Sequence, residues 1–284
     1  MFDTIRSLFE RLAAFSASFQ VLSDLHLEIG QQYTSFEIPV RAKHLVLAGD
    51  VGRLVDYDNY RTFLKQQTDQ FKLVFLVLGN HEFYNDTFAA GLEKARQLEQ
   101  EPCMNGRLIL LNQRRFDIPD SSVTVLGCSL WSNIPDKSRD MVRMKIQDFE
   151  KIKGWSVDDH NTVYESDLAW LLGEIRSINE ENKSQTQGDK RSILVVTHHA
   201  PALKRTSDPK HEKNPWSVAF GTDVLGKFPR GSPVRSWIFG HTHYTTEFRE
   251  RGIQVVANQR GYVLPWMKLN EPKNGFDVEK VIHV

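Results

Sequence analysis

Apolar runs of three to six residues, rich in Val, Leu, Ile and Phe, recur along the chain at 19–22, interrupted by Gln20, and at 45–47, 73–78, 193–196 and 237–239. None alternates apolar with polar positions, which predicts strands covered on both faces rather than strands with one wet side. Between them lie stretches with apolar residues at helical spacing. Residues 56–71 form one and 85–100 another, the second with a cap at Asn85, Asp86 or Thr87. Residues 166–182 are the clearest, with Ser166 as the expected cap and Leu168, Leu171, Leu172 and Ile175 on one face. Stretches 182–191 and 204–216 are polar enough to be surface loops. Strands alternating with helices predict an α/β fold.

Each apolar run ends in Asp, Asn or His. The first leads to Asp24 and His26, the second to Asp50, and the third to Asn80, His81 and Glu82. The fourth leads to His198 and His199, the fifth to His241 and His243. In extended chain, residues i and i+2 point to one side, so His241 and His243 can face one point. Ligands in open α/β sheets bind beyond the carboxyl ends of the strands, so these polar residues are expected to converge there. Neutral imidazoles with a few carboxylates and an amide suit zinc, manganese or iron. The donors outnumber what one ion needs, which points to two divalent ions with a bridging carboxylate.

The 284 residues are 40% hydrophobic and 25% charged, ordinary for a globular chain with ample material for a core. Candidate ligands spread from position 24 to 243 argue for one domain over 19–284. Formal net charge is zero, which gives no global field for nucleic acid, so an extended nucleic-acid partner is not expected. Cys103 and Cys128 have no metal or redox spacing, and a reducing, cytoplasmic location is the expectation. Residues 1–18 place Phe2, Ile5, Leu8, Phe9 and Leu12 at helical spacing without the apolar run of a signal peptide or of a membrane span. They read as an amphipathic extension that packs on the domain or contacts a partner.

Taken in order, "DLH" at 24–26, "GD" at 49–50, "GNHE" at 79–82, "THH" at 197–199 and "GHTH" at 240–243 resemble the calcineurin-like metallophosphoesterases over nearly the whole chain. The resemblance implies a four-layer α/β/β/α sandwich of two mixed sheets flanked by helices. It implies that Asp24, His26 and His243 bind one metal, that Asp50 bridges, and that Asn80, His198 and His241 bind the second. His81 matches the family's catalytic histidine. The implied reaction is hydrolysis of a phosphodiester or small phosphomonoester by a metal-bridging hydroxide, with His81 as general acid.

The protein phosphatase branch carries "GDxxDRG" and an arginine soon after "GNHE"; here the stretches read "GDVGRLVD" and "GNHEFYND". The chain is more similar to another branch through "LSDLHLE", "DFEKI" at 148–152, "THHAP" and "NQRGY" at 258–262. Arg260 and Arg53 are candidates for a phosphate contact, since guanidinium grips phosphate oxygens in pairs. For His199, a place behind the ligands and a substrate contact both stay open. A nuclease or nucleotide pyrophosphohydrolase on the same fold is the alternative enzyme; the nuclease would need a basic groove and the other would reveal itself by its products. A non-catalytic scaffold is the third reading, and it should lack a ligand or His81, all of which are present.

Overall fold

The computed structural model describes residues 17–211, 213–228, 231–264 and 275–284. In chain order come β1 (Ser18–Leu22), β2 (His44–Ala48), α1 (Tyr57–Gln70), β3 (Leu73–Val77), α2 (Phe88–Gln100), β4 (Leu108–Leu110), β5 (Arg114–Asp117) and β6 (Val123–Gly127). Then follow α3 (Arg139–Lys145), α4 (Asp148–Lys151), α5 (Val157–Lys183), β7 (Ser192–Val196), β8 (Val234–Phe239), β9 (Thr246–Glu250), β10 (Ile253–Ala257) and β11 (Val281–His283). One sheet has the order β11-β1-β2-β3-β4, the other β5-β6-β7-β8-β10-β9. Their inner strands are parallel, while β11, β5 and β9 run antiparallel at edges.

Side-chain parity separates the layers. Phe19, Val21, Val46, Phe75 and Val77 meet Val125, Leu194, Val196, Ile238 and Val256 in a buried cluster to which no helix contributes, so the sheets pack face to face. Residues of the opposite parity, such as Leu45, Leu47, Val195 and Trp237, share a second cluster with Phe63 and Leu64 of α1, Leu98 of α2 and Leu171, Ile175 and Ile178 of α5. Helices therefore cover the outer faces, and the expected four-layer sandwich is the fold. Double coverage explains why the strands read as continuous apolar runs.

One expectation needs correction, and another falls almost wholly outside the described residues. The long helix begins at Val157, with Ser156 as its cap and Asp159 completing a capping box, so Ser166 lies inside it. Its polar first turns concealed the start, whereas a Ser with an acidic residue three positions on is the true signal. The amphipathic segment expected at 1–18 lies outside the described residues except for Ala17 and Ser18. Ser18 already belongs to β1, and the Ala17 and Val284 backbones exchange two hydrogen bonds of 3.1 Å.

Candidate metal centre

Where the strands end, the backbone leaves extended geometry at once. Asp24, His26, Asp50, His241 and His243 have φ of 53°, 48°, 52°, 73° and 50°, a left-handed conformation uncommon outside glycine and clustered at functional sites. β8 stops at Phe239, so His241 and His243 are turn residues and the extended i, i+2 argument does not describe them. They diverge. His243 joins Asp24, His26 and Asp50, and His241 joins Asp50 and His198, with the potential ligand atoms of each group within 4.8 Å of one another. Asp50 belongs to both.

The hydrogen bonds around these groups set which atoms face inward. The His198 Nδ1–H donates to the Ala48 carbonyl at 2.9 Å, which leaves Nε2 turned toward Asn80 Oδ1 at 3.1 Å and Asp50 at 3.4 Å. Asn80 donates from Nδ2 to Asp148 at 2.8 Å and to the Tyr84 hydroxyl at 3.1 Å, so its carbonyl oxygen points at His198. Tyr84 also donates to Asp148 at 2.7 Å. The His26 and His243 Nε2 atoms stand 2.9 Å apart, and His243 Nε2 lies 3.5 Å from Asp24. His241 Nε2 is buried with no hydrogen-bond partner. Facing imidazole nitrogens, an orphaned one and a shared buried carboxylate are the donor set two divalent ions need, and no thiolate stands among them.

Protonation divides the histidines, and His198 stands with His81: burial opposes its charge, but the Asp50 charge and hydrogen bond prevail and push it up to about 10, a proton that a bound ion would have to displace. Burial pulls His26 and His241 down and takes His243 to about 4, which leaves their nitrogens in the neutral, ligating form. Burial also opposes charge on His81, but the Asp50 carboxylate and the hydrogen bond and charge of Glu28 outweigh it and push His81 up to about 9. Its Nδ1 lies 2.9 Å from Glu28, and its Nε2 lies 3.1 Å from the Tyr262 hydroxyl in the cleft. For Asp50, burial is outweighed by the charges of His198 and His81, and it sits well below the carboxylate range.

Four residues important to this geometry carried no role in the sequence reading. Glu82, fully buried, accepts from the backbone N–H groups of Gly79 at 2.7 Å, Val51 at 2.8 Å and Asp50 at 2.9 Å, tying the β2 and β3 ends together. Glu28 and Asp148 orient His81 and Asn80, and Tyr262 covers His81. Their signal was present in "DLHLE", "GNHE", "DFEKI" and "NQRGY", but only contacts reveal what each fragment holds.

The candidate substrate residues lie elsewhere. A cleft of about 470 Å³ opens over Asp50, Asn80, His81, His241 and His243, and Arg260, Arg53 and His199 do not line it. Arg260 is 8% exposed, donating to the Leu25 carbonyl at 3.0 Å and to Gln32 at 2.7 Å, with its guanidinium 4.4 Å from the Phe36 ring. Arg53 pairs with Asp56 at 3.1 Å. His199 is fully buried behind His241, with ring centroids 4.2 Å apart, and packs on Trp131 at 5.1 Å.

Residues 18–245 match the calcineurin-like phosphoesterase family. The chain belongs to that family. An uncharacterized protein of Acanthamoeba polyphaga mimivirus is 27% identical over 273 residues, 85% of this chain and 90% of that one. Among solved structures, the phosphopantetheinyl hydrolase of Mycobacterium tuberculosis is similar with a TM-score of 0.59 and 16% identity, over 88% of this chain and 91% of the other. A dimetal phosphatase from Danio rerio has a TM-score of 0.52 and 15% identity, over 85% and 86% of the two chains. Both likenesses concern the fold. Calcineurin-like phosphoesterases typically bind two divalent metals, and membership supports metal-dependent phosphoester hydrolysis in general terms. No helix among the described residues is long and apolar enough to cross a membrane.

Proposed function

We propose that the protein hydrolyses a phosphodiester or small phosphomonoester, with Asp24, His26 and His243 holding one divalent ion, Asn80, His198 and His241 a second, and Asp50 shared. The observation that carries this reading is the pair of ligand groups meeting at Asp50 beside a histidine held protonated. Manganese, zinc or iron ions bound there would supply Lewis-acid charge to the phosphoryl oxygens and make a water nucleophilic at neutral pH. The chain's own residues do the rest. His81 presents Nε2 to the cleft, its orientation set by Glu28, and donates a proton to the departing ester oxygen. Burial of Asp24, Asp50 and His241 keeps bulk water from competing for the ligands.

The test is initial rates of metal-stripped protein reloaded with manganese or zinc, on matched aryl phosphodiester and phosphomonoester substrates. His81→Ala is expected to keep two ions and lose about 10²–10⁴-fold in turnover. Asp50→Asn is expected to lose both ions. Two bound ions with no turnover of any ester would favour a non-catalytic role, and absence of bound metal would overturn the ligand assignment.

A further inference from the structure

Beyond its metal-ligand floor, the cleft is lined by apolar side chains whose use the proposed reaction leaves open. Ile146, just after α3, and Leu203, Trp216 and Phe220, from the long connection between β7 and β8, are all half-buried and line it. Trp216, Phe220 and Ile146 pack on a separate buried cluster of Ile134, Val142, Val157 and Ala219, so this wall is anchored before anything binds. It is continuous with the floor, because the Phe220 ring lies 4.8 Å from that of His241.

Charge along the wall is sparse. Among the described lining residues, Lys145 is the one side chain with permanent positive charge, and its ammonium sits 5.9 Å from the Trp216 ring. Arg53 and Arg260 are paired away from the cleft. A phosphoryl oxygen turned toward the Ile146 side chain and the Trp216 ring face would exchange water for apolar surface, with Lys145 as the one cation nearby. An aromatic ring placed there loses no hydrogen bond and gains contact with two aromatic side chains four residues apart.

We propose that the substrate is a phosphodiester carrying an aromatic ester group, seated on Trp216 and Phe220. The inference rests on the phosphoesterase reading for the position of phosphorus. Hydrolysis would form one P–O bond from water and break one ester P–O bond, giving a phosphomonoester and an alcohol or phenol that takes up the proton.

Two arms separate this inference from the reading beneath it. In the first, metal-loaded protein is given p-nitrophenyl esters of one leaving group that differ in the second ester: methyl, hexyl or phenyl. The phenyl compound is expected to exceed the methyl one in kcat/KM by about tenfold, a typical aromatic stacking contribution, and Trp216→Ala to bring that ratio toward one. In the second, calorimetry on the same metal-loaded protein compares monoanions with no ester bond to break, diphenylphosphinate and dimethylphosphinate. The phenyl compound is expected to bind about tenfold tighter, a margin that Trp216→Ala or the milder Trp216→Leu reduces. That preference without turnover would sustain the aromatic site and remove only the catalytic reading. Equal binding of the two phosphinates, or a hexyl ester preferred to the phenyl one, would overturn it.

Discussion

His81 carries its proton because Glu28 lies against Nδ1 at 2.9 Å and Asp50 is close by, and these charges prevail over burial. Glu28 is itself held down at about 2: burial opposes its charge, but hydrogen bonds from His26 and His81 outweigh that. Glu28→Gln removes the charge and keeps an acceptor. Since Glu28 raises the His81 pKa, the alkaline limb of the pH-rate profile, where protonated His81 disappears, is expected to move to lower pH. An unmoved limb would mean that another group titrates there. The histidines were legible from position alone, because each follows an apolar run. The orienting carboxylates were not, because Glu28 reaches His81 across 53 positions and Asp148 reaches Asn80 across 68.

At the scale of elements, the ends of β2 and β3 approach so closely that a side chain cannot pass between them. A Cβ on Gly79 would collide with Asp50 Oδ1 and stand 2.7 Å from the Asp50 nitrogen and from His198 Cε1. Gly79→Ala is therefore expected to displace Asp50 and cut metal content, measured by elemental analysis, while circular dichroism keeps its native shape. Retention of two ions would show that the loops can separate. The same closeness explains Glu82, whose carboxylate gathers backbone donors from both loops and accepts from the Tyr60 hydroxyl at 3.0 Å. Helix placement was readable where an apolar face began at the cap, as with Thr87, which accepts from the Ala90 N–H at 3.2 Å. It failed for α5, whose first turns are polar.

Across the whole molecule, the segment after β10 binds the two sheets at the site. Asn258 donates to the Val21 carbonyl at 2.6 Å, the Arg260 N–H to Ser23 at 3.1 Å and the Gly261 N–H to Asp24 at 3.0 Å. Arg260 then fastens the 25–36 loop beneath the cleft, a structural use of a residue whose chemistry equally suits phosphate. Stability should depend on pH through a buried histidine outside the ligand set. Burial depresses His160 to about 3, where its Nε2 accepts from the Ser132 N–H at 3.2 Å. A histidine depressed when folded takes up its proton first in the unfolded chain, so stability is full above about pH 6.5 and falls on acidification toward pH 3. His160→Gln is expected to flatten the fall of the unfolding free energy, from urea denaturation between pH 6 and 4, by one proton's worth, about 1.4 kcal/mol per pH unit. An unchanged slope would mean that His160 is not kept neutral.

The sequence alone establishes the α/β class, the five apolar strands that lead to the site, the family and the set of polar residues at their ends. These follow from local rules: an apolar run covered on both faces, and short motifs that the chain must carry in order. The folded chain was needed to see which carboxylates orient His81 and Asn80, that Arg53, Arg260 and His199 turn away from the cleft, and that Trp216 and Phe220 wall it. Those outcomes depend on left-handed turns after the strands and on contacts between residues up to 237 positions apart, which no local pattern encodes.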